Sequence, residues 1–254
     1  MYNPHGMITL FSKEIRRFLK VSIQTILAPV VTSLLYLLVF ASVMKDHIEI
    51  YNGVEYTAFL IPGLIMMAVL QNAFANSSSS LFQSKQNGSI TFILLAPLSS
   101  LEFCMAYIGS SITRGLCVGI GVWAVSCFFN VLPVNNLLVI LGFGVIGSGV
   151  LGGLGLIASI WAVKWDHIAA FQNFVILPLS FLSGVFFTIT SLSPFWVRIS
   201  YFNPFFYLID GFRCGFLGVS EMSLLLSFII SGGFFLLVSC ICIIMLESGY
   251  KLRT

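Results

Sequence analysis

The chain has 254 residues, of which 58% are hydrophobic and 8% charged, with a net charge of +3 and a mean hydropathy of +1.03. A water-soluble domain carries about a quarter charged residues and cannot hide this much apolar surface. The composition therefore excludes a soluble enzyme, offers nucleic acid no basic face, and predicts an integral membrane protein. The apolar runs are continuous rather than alternating, which favours spanning helices over an outer-membrane barrel. At ~20 residues per crossing there is room for about six spans and no sizeable soluble domain.

In chain order, residues 4–20 set Met7, Ile8, Leu10, Phe11, Ile15, Phe18 and Leu19 on one helical face and Lys13, Arg16, Arg17 and Lys20 on the other. This pattern predicts an interfacial helix with a basic side turned to anionic headgroups. The next run, 21–44, is longer than the h-region of a cleaved signal and reads as a first span. A polar, net acidic loop over 45–55 leads to a second span at 56–84, which holds Pro62-Gly63 near its start and a Ser77–Ser80 tract near its end.

Residues 85–100 differ from both neighbours. The apolar centre Ile90–Ala96, bounded by Asn87-Gly88-Ser89 and Pro97, is far short of the ~20 residues needed to cross and is expected to lie at the surface or dock on a partner. Ser99 and Glu102 have capping-box spacing and start the third span, 101–129. Arg114 falls about halfway along it, where a charge costs at least ~2.5 kcal/mol by insertion scales. Both a structural role and one along a substrate path stay open for it.

Pro133 and Asn136 open a fourth span, 136–163, with Gly149-x-x-x-Gly153; Gly115-x-x-x-Gly119 stands in the third. Such spacing lets helix backbones approach closely in lipid. After a tight connection at 164–167 comes a fifth span, 168–189, with a kink expected at Pro178. Residues 190–220 are rich in aromatics and broken by Pro194 and Asn203-Pro204, and they carry Arg198, Asp210 and Arg213. No uninterrupted run there is long enough to cross, so a helical hairpin dipping partly into the membrane is expected, with its charges ordering it from the outer side. A sixth span, 222–246, and a basic tail with Lys251 and Arg253 close the chain.

Lys and Arg are concentrated on one side of this arrangement. Eight of the twelve lie in the N-terminal helix, at Lys85, at Lys164 and in the tail, against Lys45, Arg198 and Arg213 opposite. The bias predicts both termini and the 85–100 segment on the cytoplasmic face.

No residue pattern supports catalysis: G-x-S-x-G, H-E-x-x-H and the P-loop G-x-x-x-x-G-K-[ST] are all missing from the sequence. His5, His47 and His167 are far apart, and the six cysteines lack paired metal spacing and read as small buried residues, so neither a metal nor a disulfide is expected. Any ATP used must be hydrolysed by another polypeptide. A secondary transporter or channel needs no such partner, and a non-transporting scaffold is a third reading.

The order of elements, with NGSITFILLAPLSSLEF ending its apolar centre in Leu94-x-x-Pro97, Leu182-Ser-Gly-Val-Phe-Phe followed by Ser193-Pro-Phe-Trp, and Asn203-Pro204-Phe-Phe-Tyr207-Leu-Ile-Asp210-Gly-Phe-Arg213, resembles the ABC-2 family of ABC-transporter permeases over nearly the whole chain. The likeness is strongest to inner-membrane permeases of the bacterial drug, polysaccharide and Nod-factor exporter branch. It implies an all-α, six-span exporter subunit, dimeric with a second copy of itself and carrying two P-loop nucleotide-binding subunits, with ATP and magnesium bound by those partners and no cofactor in this chain. It further implies that Ile90, Thr91, Phe92, Ile93, Leu94, Leu95 and Pro97 couple to the motor. Where related permeases carry acidic residues ahead of the Leu-Leu pair, this chain has Thr91 and Phe92, so the expected contact is apolar.

Overall fold

The computed structural model describes residues 3–44, 49–51 and 54–251, so Lys45 and Arg253 lie outside it. Helix α1 (Pro4–Leu19) starts where the Asn3 side chain accepts the Gly6 N–H at 3.0 Å and Pro4 occupies the first turn, whose N–H groups need no helical partner. Helix α2 (Ser22–Met44) follows after a two-residue break, and a short hairpin, β1 (Glu49–Tyr51) and β2 (Val54–Glu55), leads into α3 (Tyr56–Gln86). The six-residue α4 (Ile90–Leu95) precedes α5 (Ser100–Ser126). A capping box starts α5: the Ser99 hydroxyl accepts the Glu102 N–H, and the Glu102 carboxylate accepts the Ser99 N–H at 2.8 Å. Helix α6 (Leu137–Trp161) is capped by Asn136, whose side chain accepts the N–H groups of Leu138 and Val139.

Among the described residues, five helices (α2, α3, α5, α6 and α11, Leu224–Glu247) are long and apolar enough to cross a membrane. The expected fifth span over 168–189 departs from this pattern. It is built from α7 (Trp165–Phe171), a π-helical turn over Gln172–Ile176 and α8 (Leu177–Phe181), after which the chain turns through Gly184 at φ 74°. Pro178 has no N–H to continue the ladder, and the helix widens to i→i+5 bonding just ahead of it. The apolar composition survives, but one straight helix does not. The expected hairpin over 190–220 contains two helices, α9 (Pro194–Phe202) and α10 (Pro204–Leu217), joined at Asn203 and closed by Gly218 in the left-handed conformation.

Helices α3 and α6 form the centre, with α5 and α10 against both and α11 against α6. Small residues on three sides of α6 make this possible. A Cβ on Gly155 would fall 2.3 Å from Ser77 Oγ and 2.6 Å from the Phe74 carbonyl of α3. One on Gly152 would meet Ser111 of α5, and on Gly149 and Gly153 it would strike Phe235 and Val238 of α11. Gly115 and Gly119 of α5 likewise sit on Val69 of α3. Close approach also brings polar groups together: the Ser77 hydroxyl donates to the Gly152 carbonyl at 2.6 Å. The main core fills the space between α3, α6 and α10, and a second cluster, around Leu10, Ile90, Tyr107 and Ile160, sits at the end where α1 and α4 lie.

Gly155→Ala should therefore lower stability by about 1–3 kcal/mol, because backbone rather than a flexible side chain blocks the new methyl group. Gly142→Ala, where the same group would enter open space, should leave the unfolding midpoint unchanged or slightly raised. Thermal unfolding of both variants in one detergent measures the difference.

Candidate functional site

At one end of the bundle the chain builds a platform around α4. Ile90 is buried in the second core cluster and Ile93 is half-buried against it, whereas Phe92 and Leu95 are 77% and 76% exposed and Leu94 41%. Thr91 and Pro97 are exposed as well. The expected coupling residues therefore divide: Ile90 and Ile93 anchor α4, while Phe92, Leu94, Leu95 and Pro97 form the outward apolar ridge.

Two hydrogen-bonded anchors hold this ridge. Lys85 is not a free loop cation; it ends α3, and its ammonium donates to the carbonyls of Ser159, Ile160 and Ala162 at 3.1, 2.9 and 2.9 Å. Those carbonyls end α6, where orphan acceptors and the negative end of the helix dipole favour a cation. On the other side the Glu102 carboxylate also accepts the Asn3 backbone N–H, and the Asn3 amide donates to the Pro97 carbonyl at 3.3 Å. The start of α1 is thereby tied to the end of the α4 segment.

Helix α1 does not present a purely apolar face to the bundle. Its buried residues are Leu10, Glu14 and Phe18, one turn apart, and Arg17 turns inward with them rather than toward headgroups. The Glu14 carboxylate pairs with Arg17 and Lys13, both at 3.1 Å. The Arg17 guanidinium also donates to the backbone carbonyl and side-chain oxygen of Asn76 at 2.9 and 3.0 Å. Asn76 passes the network on to Ser110 and Ser111 of α5.

One turn further along α3, Asn72 receives the Arg114 guanidinium at 3.3 Å. Arg114 Nε is buried without a partner, and so is Gln71 Nε2. Thr32, Ser33, Tyr36, Gln71, Asn72 and Gln172 line part of a cleft of about 220 Å³ between α2, α3 and the π-helical turn.

The hairpin charges serve separate contacts at the opposite end. Arg213, 1% exposed, stacks its guanidinium 3.7 Å from the centre of the Phe59 ring and donates to the carbonyls of Phe59 and Gly184. The Asp210 carboxylate accepts the N–H groups of Glu221 and Met222 at 2.9 and 3.1 Å, just ahead of α11. Asn203 caps α10 through the Phe205 N–H and donates to the Leu179 carbonyl at 2.7 Å, with Pro204 in the first turn. The Tyr207 hydroxyl donates to the Tyr201 carbonyl at 2.9 Å, while Arg198 is exposed on α9.

Sequence reading overlooked Glu14, Gln71, Asn72 and Asn76. The Glu14–Arg17 spacing, i to i+3, signals a helical pair, and Asn72–Asn76, at i to i+4 inside an apolar run, marks a polar stripe. No group of three or more metal-binding side chains occurs among the described residues.

The ABC-2 type transporter family profile matches residues 5–217. The chain is 37% identical to the inner membrane transport permease YadH of Escherichia coli K12, over 97% of this chain and 96% of that one. It is 25% identical to nodulation protein J of Rhizobium leguminosarum bv. viciae, over 78% and 77% of the two chains, and 21% identical to nodulation protein J of Rhizobium meliloti, over 85% and 83%.

Removing one member of the Glu14–Arg17 pair leaves a charge among apolar helices. Glu14→Ala should therefore destabilise the protein by roughly 3 kcal/mol, and the Glu14→Ala/Arg17→Ala double variant should recover part of that loss. A double-mutant cycle on unfolding midpoints measures the coupling.

Proposed function

Because this chain belongs to the ABC-2 type transporter family, and is thus a multi-pass inner-membrane transport component, we propose that it is the permease subunit of an ATP-driven exporter. In this reading two copies assemble with two P-loop subunits that bind ATP and magnesium, and both termini and α4 face the cytoplasm. The cargo is of the lipid, drug or glycan type that the family resemblance implies. The assignment of the chain as the translocating rather than the hydrolysing subunit rests on a sequence without any Gly-Lys dipeptide, hence without a P-loop.

The exposed ridge of Phe92, Leu94, Leu95 and Pro97 carries this reading. A six-residue helix with phenylalanine and leucine turned outward, anchored by buried Ile90, suits an apolar pocket on another protein. Its two anchors suit transmission of force. Movement of the ridge pulls on the end of α6 through Lys85 and on the start of α1 through Asn3 and Glu102. At the far end, the contacts of Asn203, Pro204, Tyr207, Asp210 and Arg213 order the hairpin that closes the outer exit.

The test is coexpression with a P-loop subunit and purification into nanodiscs. Phe92→Asp combined with Leu95→Asp should reduce the recovered ATPase and ATP-driven flux at least about tenfold, the size expected for truncating a central apolar anchor. Gln83→Asp, exposed on the last turns of α3, should change neither. Flux driven by an ion gradient in vesicles without any ATPase would overturn the proposal.

A further inference from the structure

Two of the six cysteines are buried, Cys104 of α5 and Cys242 of α11, and both are free thiols. Far apart in sequence, they meet at the platform end, where α5 begins and α11 ends, inside the cluster that also holds Leu10 and Ile90. Gly153 of α6 sets the register of the two helices. A Cβ there would lie 2.6 Å from Val238, 3.7 Å from Cys242 Sγ and 3.8 Å from Ile108. With Ile108 and Val238 beside one glycine on antiparallel helices, a step of one turn along each toward the platform brings Cys104 and Cys242 together. The two thiols are in hydrogen-bonding contact, and the Cys242 thiol also donates to the Gly153 carbonyl at 3.2 Å.

The pair is enclosed by apolar side chains but is not deep. Cys104 is about 6 Å from the start of α5 and Cys242 about 8 Å from the end of α11 at ~1.5 Å rise per residue. An apolar shell of this kind excludes charged reagents and admits small uncharged ones. A lone buried cysteine is inert, whereas a second thiol in contact can trap the first product of oxidation. The position also gives a crosslink leverage. Two residues before Cys104, Glu102 ties the start of α5 to α1 and Ser99, while Cys242 ties α11 to α6.

We propose that Cys104 and Cys242 form a reversible disulfide when exposed to a hydroperoxide, and that the oxidised form locks the first turns of α5 to α11 and stops transport. The second half rests on the transport reading above; the first half does not. One thiolate attacks the hydroperoxide: an S–O bond forms as the O–O bond breaks, and the alcohol leaves with the proton that the thiol gave up. The second thiol then attacks the sulfenic sulfur, the S–S bond forms as the S–O bond breaks, and hydroxide leaves as water with the second thiol's proton. Two thiols lose one electron each and one hydroperoxide gains both. In a reducing compartment a disulfide of this kind is transient and serves sensing.

The full chain in nanodiscs, without any ATPase, is treated with tert-butyl hydroperoxide, blocked with N-ethylmaleimide and digested for mass spectrometry. The expected product is a linked Cys104–Cys242 peptide pair that dithiothreitol splits, with the exposed Cys240 outside the linkage. In the complex with a P-loop subunit, the same treatment should cause loss of ATP-driven flux, and dithiothreitol should restore it. Cys104→Ala and Cys242→Ala should each keep their flux through oxidation, whereas Cys240→Ala should lose it as wild type does. Absence of the linked pair, linkage through Cys240 instead, wild-type flux that survives oxidation, or flux lost equally in both alanine variants would overturn the inference. A complex without flux before oxidation is a failure of motor docking, and the linked pair then decides the inference by itself.

Discussion

Hydrocarbon gives helices no gain from burying leucine against leucine, so the bundle depends on how closely backbones can approach. Helix α6 supplies that approach on three sides, through Gly155 toward α3, Gly152 toward α5, and Gly149 and Gly153 toward α11. Serines follow the glycines because a hydroxyl can then reach a neighbouring carbonyl, as Ser77 reaches Gly152. The same closeness fixes the position of the end of α6, and with it the three carbonyls that hold Lys85. Packing at the centre thus sets the geometry of the platform at the bundle end.

Charge in this protein is used sparingly, and mostly where backbone groups are left over. Lys85 takes the carbonyls that end α6, Glu102 takes the N–H groups of Ser99 and Asn3, and Asp210 takes those of Glu221 and Met222. Arg213 bridges α10, the start of α3 and the turn at Gly184. Lys85, Glu102 and Arg213 join elements far apart in sequence, and Asp210 ties α10 to the start of α11, which is why a chain with so few charges can still define both ends of its bundle. Arg114 is the exception, a cation at mid-depth with one neutral partner.

Much of this was legible in the sequence because long apolar runs and local caps are local signals. The Ser99–Glu102 box, the Asn203-Pro204 helix start and the continuous runs behind α2, α3, α5, α6 and α11 can be read by eye. The segment over 168–189 keeps its apolar run and is broken beside Pro178, where a kink is expected, but averaged hydropathy does not register the form of the break, a π turn followed by the left-handed Gly184. Arg17 did mislead. Its helical face suggested headgroups, but its partners are Glu14 and Asn76, the second of which lies 59 positions away. Lys85 likewise finds its acceptors 74 to 77 positions away, beyond any local pattern.

In the proposed reading, α4 is the contact through which a separate ATPase drives transport. The most direct measurement is photo-crosslinking from a reactive side chain placed at Phe92 in the assembled complex, with the adduct identified by mass spectrometry. The account predicts an adduct to a P-loop subunit from position 92 and none from buried position 90. Adducts from position 92 only to lipid or to this chain would contradict it.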